Sequence, residues 1–471
     1  MQDDIRVLPR LTLNAGLRWE FNSPPIEIHN RFSVPNLSAG AAACTPQPDC
    51  WFTQAGTDGI PRATYNSDLL DFAARIGVAW RPLKTERFVV RSAYGIFYDE
   101  GILNLNILPR FNPPFYNIFA FPNSGTDVVQ DILSESGLPE PQANFVSPNF
   151  RNAYMQDWNV DLQYEVRPNW MMDLAYVGSK GTHLPATRDL NETGTYPQFS
   201  SVLVVEPRSN SSYNSLQFHS EKRVTQGLTF LAAYTWSRSI DDDSAVFSGS
   251  VGSGVPQDSA DARLDRGPSD FQVEHRFVLS YLYDMPFGAG RKWLDHPGVV
   301  NRVLGSWRMA GIASMQTGSP FTVNMGASGN ATSISSFGVP YRPDLVGDPY
   351  KAGPVAANPG CTAPASVRTA QSWFNPCAFA APAETYGSEG RNALTGPGLN
   401  NLDFSFLKDV PFRHEGRLLQ FRAEFFNLLN IPHFDIPGHT FGESSLGVVQ
   451  SSNLYGDRPP RQIQIGLKYI F

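Results

Sequence analysis

Charge is scarce in this chain: only 17% of its 471 residues are Asp, Glu, Lys or Arg, against about 25% in average soluble domains. Its 37 basic residues are outnumbered by 44 acidic ones, for a formal net charge of −7. A nucleic-acid partner calls for a basic face, so that class is excluded. Long apolar runs are missing too, none approaching the roughly 18 residues of a membrane-spanning helix. Cysteine is limited to four residues, and neither local pair has the two-residue spacing of a zinc or redox motif. The nucleophile elbow, the H-E-x-x-H zinc helix, the P-loop and the dinucleotide fingerprint are all absent. The chain is therefore expected not to be an enzyme and to carry no cofactor. Its first residues, Met1-Gln2-Asp3-Asp4-Ile5-Arg6, show neither the basic nor the apolar region of a secretory signal.

What is abundant is aromatics (12%), Gly (39) and Pro (38), a composition that breaks helices and supplies turns. The dominant pattern is period-two alternation, in stretches as long as a tilted membrane strand. In 154–166, Tyr154, Trp158, Val160, Leu162, Tyr164 and Val166 share one face with Gln156, while Met155, Asp157, Asn159, Asp161, Gln163 and Glu165 share the other. The first full strand, 10–21, and the last, 462–471, alternate likewise. Similar runs fall near 72–81, 87–98, 169–179, 214–224, 227–239, 275–286, 306–325, 401–412 and 417–429. A strand remnant precedes them at 2–7, and no helical stretch competes. The mean hydropathy of −0.26 is compatible with membrane strands, because apolar-out and polar-in positions average out.

The links between these runs alternate long and short. The long ones are about 22–71, 99–153, 180–213, 240–274, 326–400 and 430–461; the short ones are 82–86, 167–168, 225–226, 287–305 and 413–416. A soluble sandwich has no reason to sort its loops, whereas a barrel with short periplasmic turns and long extracellular loops does. Aromatics fall at both expected rims. Trp19, Phe21, Phe72, Tyr98, Trp158 and Trp236 lie toward the loop side, and Trp80, Phe88, Tyr164, Trp170, Trp307, Tyr469 and Phe471 toward the turn side, where amphipathic rings meet headgroups. The fold class expected is all-β: a transmembrane antiparallel up-and-down β-barrel of twelve full strands plus the remnant. Such a barrel must be exported, and residues 1–6 carry no export signal, so an N-terminal portion is expected outside this chain.

Candidate sites lie in the loops. Cys44 with Cys50, and Cys361 with Cys377, are read as loop-stapling disulfides of an oxidising compartment. Phe111, Phe115, Tyr116 and Phe119, in a Pro-rich loop, offer rings for a sugar or peptide, or else pack over the barrel mouth. Asp241, Asp242 and Asp243, with Asp258, Asp261, Asp265 and Asp270, make one acidic loop. Carboxylates of this kind suit Ca2+, but the Asp-x-Asp-x-Asp-Gly spacing is missing and Arg263 and Arg266 are interleaved, so a solvated acidic loop is the default expectation. Glu274–His275 and His414–Glu415 read as solvated strand ends and turns. Asp157, Asp161, Glu165, Arg75, Arg91, Arg308 and Arg422 point inward, toward a wet lumen or a plug, and sequence alone cannot pair Arg308 with Arg422.

Three stretches resemble a known family. Residues 1–21 resemble a descending strand, tight turn and ascending strand of TonB-dependent receptors, most like the Oar-like group with its N-terminal carboxypeptidase-regulatory-like domain. Tyr213-Asn-Ser-Leu-Gln-Phe218 with Gly227-Leu-Thr-Phe-Leu-Ala-Ala-Tyr-Thr-Trp-Ser-Arg-Ser-Ile-Asp241 is similar to that group's internal hairpin, and Leu419-Gln-Phe-Arg-Ala-Glu-Phe-Phe-Asn-Leu-Leu-Asn-Ile-Pro-His-Phe434 to its penultimate strand. Tyr469-Ile470-Phe471 is similar to the terminal signal that such barrels present to their assembly machinery. The resemblance implies a 22-stranded barrel with a plug in its lumen and a segment that touches TonB. None of these last parts is visible here, so residues 1–471 are expected to be the C-terminal part of such a receptor. The partners implied are outer-membrane lipid, the plug of the same protein, TonB acting through that plug, the assembly machinery, and an imported carbohydrate or peptide. The alternatives are a self-contained 12-stranded channel or a surface adhesin.

Overall fold

A computed structural model describes residues 2–38, 49–99, 101, 103–116, 140–225, 227–244, 256–288, 290–296, 298–325, 341–382, 386–411, 418–452 and 459–470. Thirteen strands follow one another in chain order, each hydrogen-bonded antiparallel to the next. They are β1 (Gln2–Leu8), β2 (Leu11–Trp19), β3 (Phe72–Trp80), β4 (Phe88–Tyr98), β5 (Tyr154–Arg167), β6 (Trp170–Asp189), β7 (Ser201–Thr225), β8 (Leu228–Asp241), β9 (His275–Asp284), β10 (Trp307–Gln316), β11 (Leu399–Pro411), β12 (Leu418–Phe426) and β13 (Gln462–Ile470). The twelve runs and the remnant are all present, in the expected order. Among the described residues β1 and β13 do not pair, so the sheet is open between them.

Register is what turns alternation into a two-faced wall. Val160 stands between Ser92 and Tyr176, and Leu162 between Val90 and Leu174, so apolar positions line up across strands. At the far edge Phe421 faces Leu467 and Ala423 faces Ile465. A slip of one residue would move every such side chain to the other face. Val160, Leu162, Tyr164, Ile465 and Leu467 are all exposed on this outer face, the situation of side chains whose solvent is lipid rather than water. Ser92, the polar exception in the column, donates its hydroxyl to the Asn159 carbonyl at 2.8 Å.

Turn chemistry closes the short side. Pro168-Asn169 joins β5 to β6, with Asn169 at φ 67°, the pattern of a type II turn with proline first and a left-handed residue second. Between β7 and β8, Gly227 has φ 78°, and a Cβ there would stand 3.0 Å from the Asp284 carbonyl oxygen; only glycine fits without strain.

Three expectations are corrected. The 180–213 link is mostly strand, because β6 runs on to Asp189 and β7 starts at Ser201. Val202-Leu203-Val204-Val205 is buried on both faces, paired with β6 on one side and with the parallel strand Gln142–Val146 on the other. A segment covered on both faces does not alternate, which is why it reads as loop. The 306–325 run breaks after Gln316, with only Pro320–Phe321 resuming as a strand of a small separate sheet. The short 287–305 link holds a helix, α1 (Val299–Leu304).

The apolar cores lie in the loops. One joins Phe321, Val323, Phe374, Phe379, Leu394 and Leu446. A second joins Tyr65, Leu108, Val146, Phe150 and Val205, and a third Trp51, Phe52, Ala143, Phe199 and Val202. The long loops therefore fold as a packed cap on the loop side of the sheet.

Candidate functional site: the loop cap and the inner face of the sheet

The acidic loop is solvated only in part: Asp261 and Asp270 are exposed, but two of its carboxylates are not. Asp241 and Asp265 are almost fully buried, each ion-paired to an arginine from the loop between β10 and β11. Arg391 pairs with Asp241, and also donates to the Asp241 carbonyl at 2.8 Å, the Asp265 carbonyl at 2.6 Å and Ser244 Oγ at 3.1 Å. Arg342, 2% exposed, pairs with Asp265 and donates to the carbonyls of Leu264 at 3.0 Å and Glu389 at 2.9 Å. Asp242 lies 3.8 Å from Arg266, one of the two interleaved arginines, and Asp243 is engaged in a further interaction. Sequence reasoning missed Arg342 and Arg391 because the pairs span 77 and 150 residues, and no local pattern announces so distant a counter-ion.

More bonds lock the same loops together. Glu192, at the tip of the β6–β7 hairpin, accepts from Ser259 N at 2.8 Å and from the Tyr386 hydroxyl at 2.9 Å. Gln257 accepts from Arg342 N at 2.9 Å and donates to the Gly387 carbonyl at 3.1 Å. Beside them Glu389 is 2% exposed, with Oε1 accepting from Val323 N at 3.2 Å and Oε2 without a hydrogen-bond partner. Burial pushes its carboxyl up to about 8 despite the opposing Arg342 charge. Cys361 and Cys377 are joined in a disulfide, with Cα atoms 5.5 Å apart, beside the first loop core. Cys50 is also disulfide-bonded; Cys44, like Phe119, His414 and Phe471, lies outside the described residues.

The aromatic loop splits. Phe111 leans on the core of Tyr65 and Val205 with the Arg110 guanidinium 4.3 Å over its ring, whereas Phe115 and Tyr116 are exposed. Asn112 anchors the loop, donating to the Ser33 carbonyl at 2.7 Å and accepting from Asn144 N at 2.8 Å. The loop thus presents two rings from a fixed base. His275 is not simply solvated: its Nδ1 is 2.9 Å from the Tyr234 hydroxyl, and its ring stacks with those of Tyr234 and Trp236.

On the inner face the unpaired arginines find each other. Arg308 of β10 pairs with Asp409 of β11; Asp409 accepts from Gln420 of β12 at 2.8 Å, and Gln420 accepts from Arg422 at 2.6 Å. Arg91 stands opposite Asp161 across the β4–β5 pair, and Arg75 lies 4.5 Å over the Phe97 ring. Near the loop end of this face a cavity of about 1320 Å3 is lined by Asn401, Asp403, Asn427, Asn430, Ser452 and Gln462, with Phe426 and His433. Asp403 holds the floor by accepting from Asn427 N at 2.9 Å. His433 is buried, with Nε2 3.2 Å from the Asn400 carbonyl and Nδ1 unpartnered. Among the described residues no lysine or arginine lines the cavity. Its polar chemistry is that of side-chain amides, the hydroxyls of Ser314 and Ser452, one carboxylate and the His433 ring, set among Ile312, Ile431, Phe426 and three prolines.

A two-faced antiparallel wall, apolar outside and polar inside, with loops sorted to one end, matches the model of the outer-membrane β-barrel domain over residues 1–464. The chain belongs to the outer-membrane β-barrel family. Its place is therefore the outer membrane, and the exposed apolar columns of β2 to β13 are its lipid surface. No curated protein matches this outer-membrane barrel in sequence. Among solved structures it is similar to the outer-membrane transporter YddB from Escherichia coli, at 11% identity and TM-score 0.47, over 98% of this chain and 43% of that one. The siderophore receptor PiuA from Acinetobacter baumannii gives 10% identity and 0.46, over 100% and 42%. The FrpB iron transporter from Neisseria meningitidis gives 10% and 0.44, over 98% and 44%. The barrel chain thus spans less than half the length of each.

Proposed function

We propose that this chain forms part of the wall and much of the extracellular binding surface of a TonB-dependent receptor, with a plug and further strands of the same protein completing it. The observation that carries this is the cap: loops locked by buried ion pairs and their own cores stand at the loop end of a wall whose inner face carries polar side chains. A passive channel has no need to hold its loops in one arrangement. The open sheet supports the same reading, since unpaired strand edges in hydrocarbon cost several kcal/mol per polar group and call for strands to pair with β1 and β13. The solute bound would be neutral and rich in hydroxyls, a carbohydrate, because side-chain amides and a carboxylate exchange hydrogen bonds with hydroxyls, while among the described residues lining the cavity there is no lysine or arginine to meet an acidic ligand. Exposed Phe115 and Tyr116 would add ring stacking at the entrance.

The test is uptake and binding by the full-length protein in its own outer membrane. Binding of a neutral oligosaccharide should weaken about tenfold in Asp403→Ala, as expected for about 1.4 kcal/mol. Uptake, but not binding, should stop on loss of TonB or of the proton-motive force. Uptake that continues without TonB would overturn the receptor reading, and exclusive binding of acidic solutes would overturn the solute class.

A further inference from the structure

The link between β9 and β10 is not a plain turn. Phe287 and Trp293 bridge, with ring centroids 5.3 Å apart and Gly288 N donating to the Trp293 carbonyl at 2.9 Å. Helix α1 comes next, and its last turn is fastened to the outer face of the sheet. Trp307 Nε1 donates to the Val303 carbonyl at 2.9 Å, while Lys408 Nζ donates to the carbonyls of Val303 at 3.0 Å and Gly305 at 2.7 Å. None of the helix residues is buried, and Val299 is 77% exposed, with Val300, Val303 and Leu304 also exposed. An aliphatic helix held firmly yet turned away from the protein is facing something other than water.

Between this link and the sheet lies a cavity of about 560 Å3 whose lining is wholly apolar: Met285, Phe287, Leu304, Trp307, Phe406 and Phe421 carry most of it. Trp307, Phe406 and Phe421 also pack edge to face. Phe421 and the neighbouring Ala423 belong to the outward column shared with Leu467 and Ile465, so the groove continues the lipid surface of the barrel. It lies on the turn side, at the periplasmic leaflet. The link also carries exposed Lys292, Arg302 and Asp295, besides Arg291, which is paired with Asp284 at 3.0 Å.

We propose that this groove is a phospholipid site. One acyl chain of a periplasmic-leaflet phospholipid lies between α1 and β10–β12, α1 lies in the interface plane, and Lys292 and Arg302 meet the phosphate. Continuity with the lipid surface, the apolar lining and the net positive charge of the link together select this occupant over a protein segment. The volume is within the range of about 300–1,000 Å3 typical of small-molecule sites.

The experiment places the full-length protein in bilayers containing phosphatidylglycerol with a photoactivatable group on one acyl chain, then maps crosslinks by peptide mass spectrometry. Crosslinks should concentrate at least about fivefold on peptides covering 285–307 and 418–426 relative to β2 and β3, about 1 kcal/mol of preference. Ala423→Phe, which fills the groove from a lipid-facing position, should bring that enrichment down to the level of β2. Arg302→Glu, on an exposed site, should lower it while leaving heat-modifiable migration of the folded barrel unchanged. Even labelling around the barrel, or enrichment that survives both substitutions, would overturn the proposal. So would recovery of a co-purified polypeptide crosslinked to the groove in place of lipid.

Discussion

Arg391 donates from all three of its nitrogens to one loop, and none of those acceptors could be guessed from its surroundings in the chain, Gly390 and Asn392. Arg342 is the same case. Both are buried guanidinium groups whose carboxylates stand in a segment that reads as an acidic surface loop. Removing one partner of such a pair leaves the other charged and desolvated, at about 3–5 kcal/mol. Arg391→Ala should therefore release the loop around Asp241 and Ser244, seen as amide hydrogen exchange there faster by several orders of magnitude than in Arg263→Ala, whose side chain makes no ion pair among the described contacts. Equal exchange in the two variants would mean that the pair contributes little. The Arg308–Asp409–Gln420–Arg422 chain shows the same limit from another side. Each inward side chain was legible from alternation, but their meeting depends on register across three strands.

At the level of elements, the strands were legible and the cap was not. Alternation works where one face meets lipid and the other water, so β5 and β13 are found almost to the residue. It fails where both faces are covered, as at Val202–Val205, and where a loop builds its own core, as Phe374 and Phe379 do. The cap also carries a proton-linked element. Glu389 sits well above its ordinary carboxylate range when folded, so the folded cap holds that proton more tightly than the unfolded one. Its contribution is complete below the unfolded value, near 4.5, and is lost as pH rises through about 8. Protease resistance of the loops should accordingly fall between roughly pH 5 and pH 9, and Glu389→Gln should flatten that fall. An unchanged slope in the variant would assign the effect to another group. The candidate cavity was only partly legible: Asp403 and Gln462 alternate as inward residues, but His433 and Asn430 come from a loop whose inward fold has no periodic signature.

For the whole molecule, the decisive property is which side of the wall meets lipid. Val160 lies in the middle of an outward column bounded by Tyr176 and Ser92. Val160→Arg should cost about 2–4 kcal/mol near the bilayer midplane, measured as a shift of the denaturant midpoint in lipid, whereas the inward neighbour Asn159→Arg should cost far less. The opposite order would reverse the wall.

Because the outward loops carry their own apolar cores and arginine clasps, the face this protein shows to its surroundings is a relief with fixed contours rather than a brush of loose chains. Antibodies or phages that recognise the living cell should then depend on epitopes assembled from distant stretches. Asp241 and Arg391 hold two such stretches together, so sera raised against linear peptides of 256–274 should bind the denatured chain and pass over the intact cell.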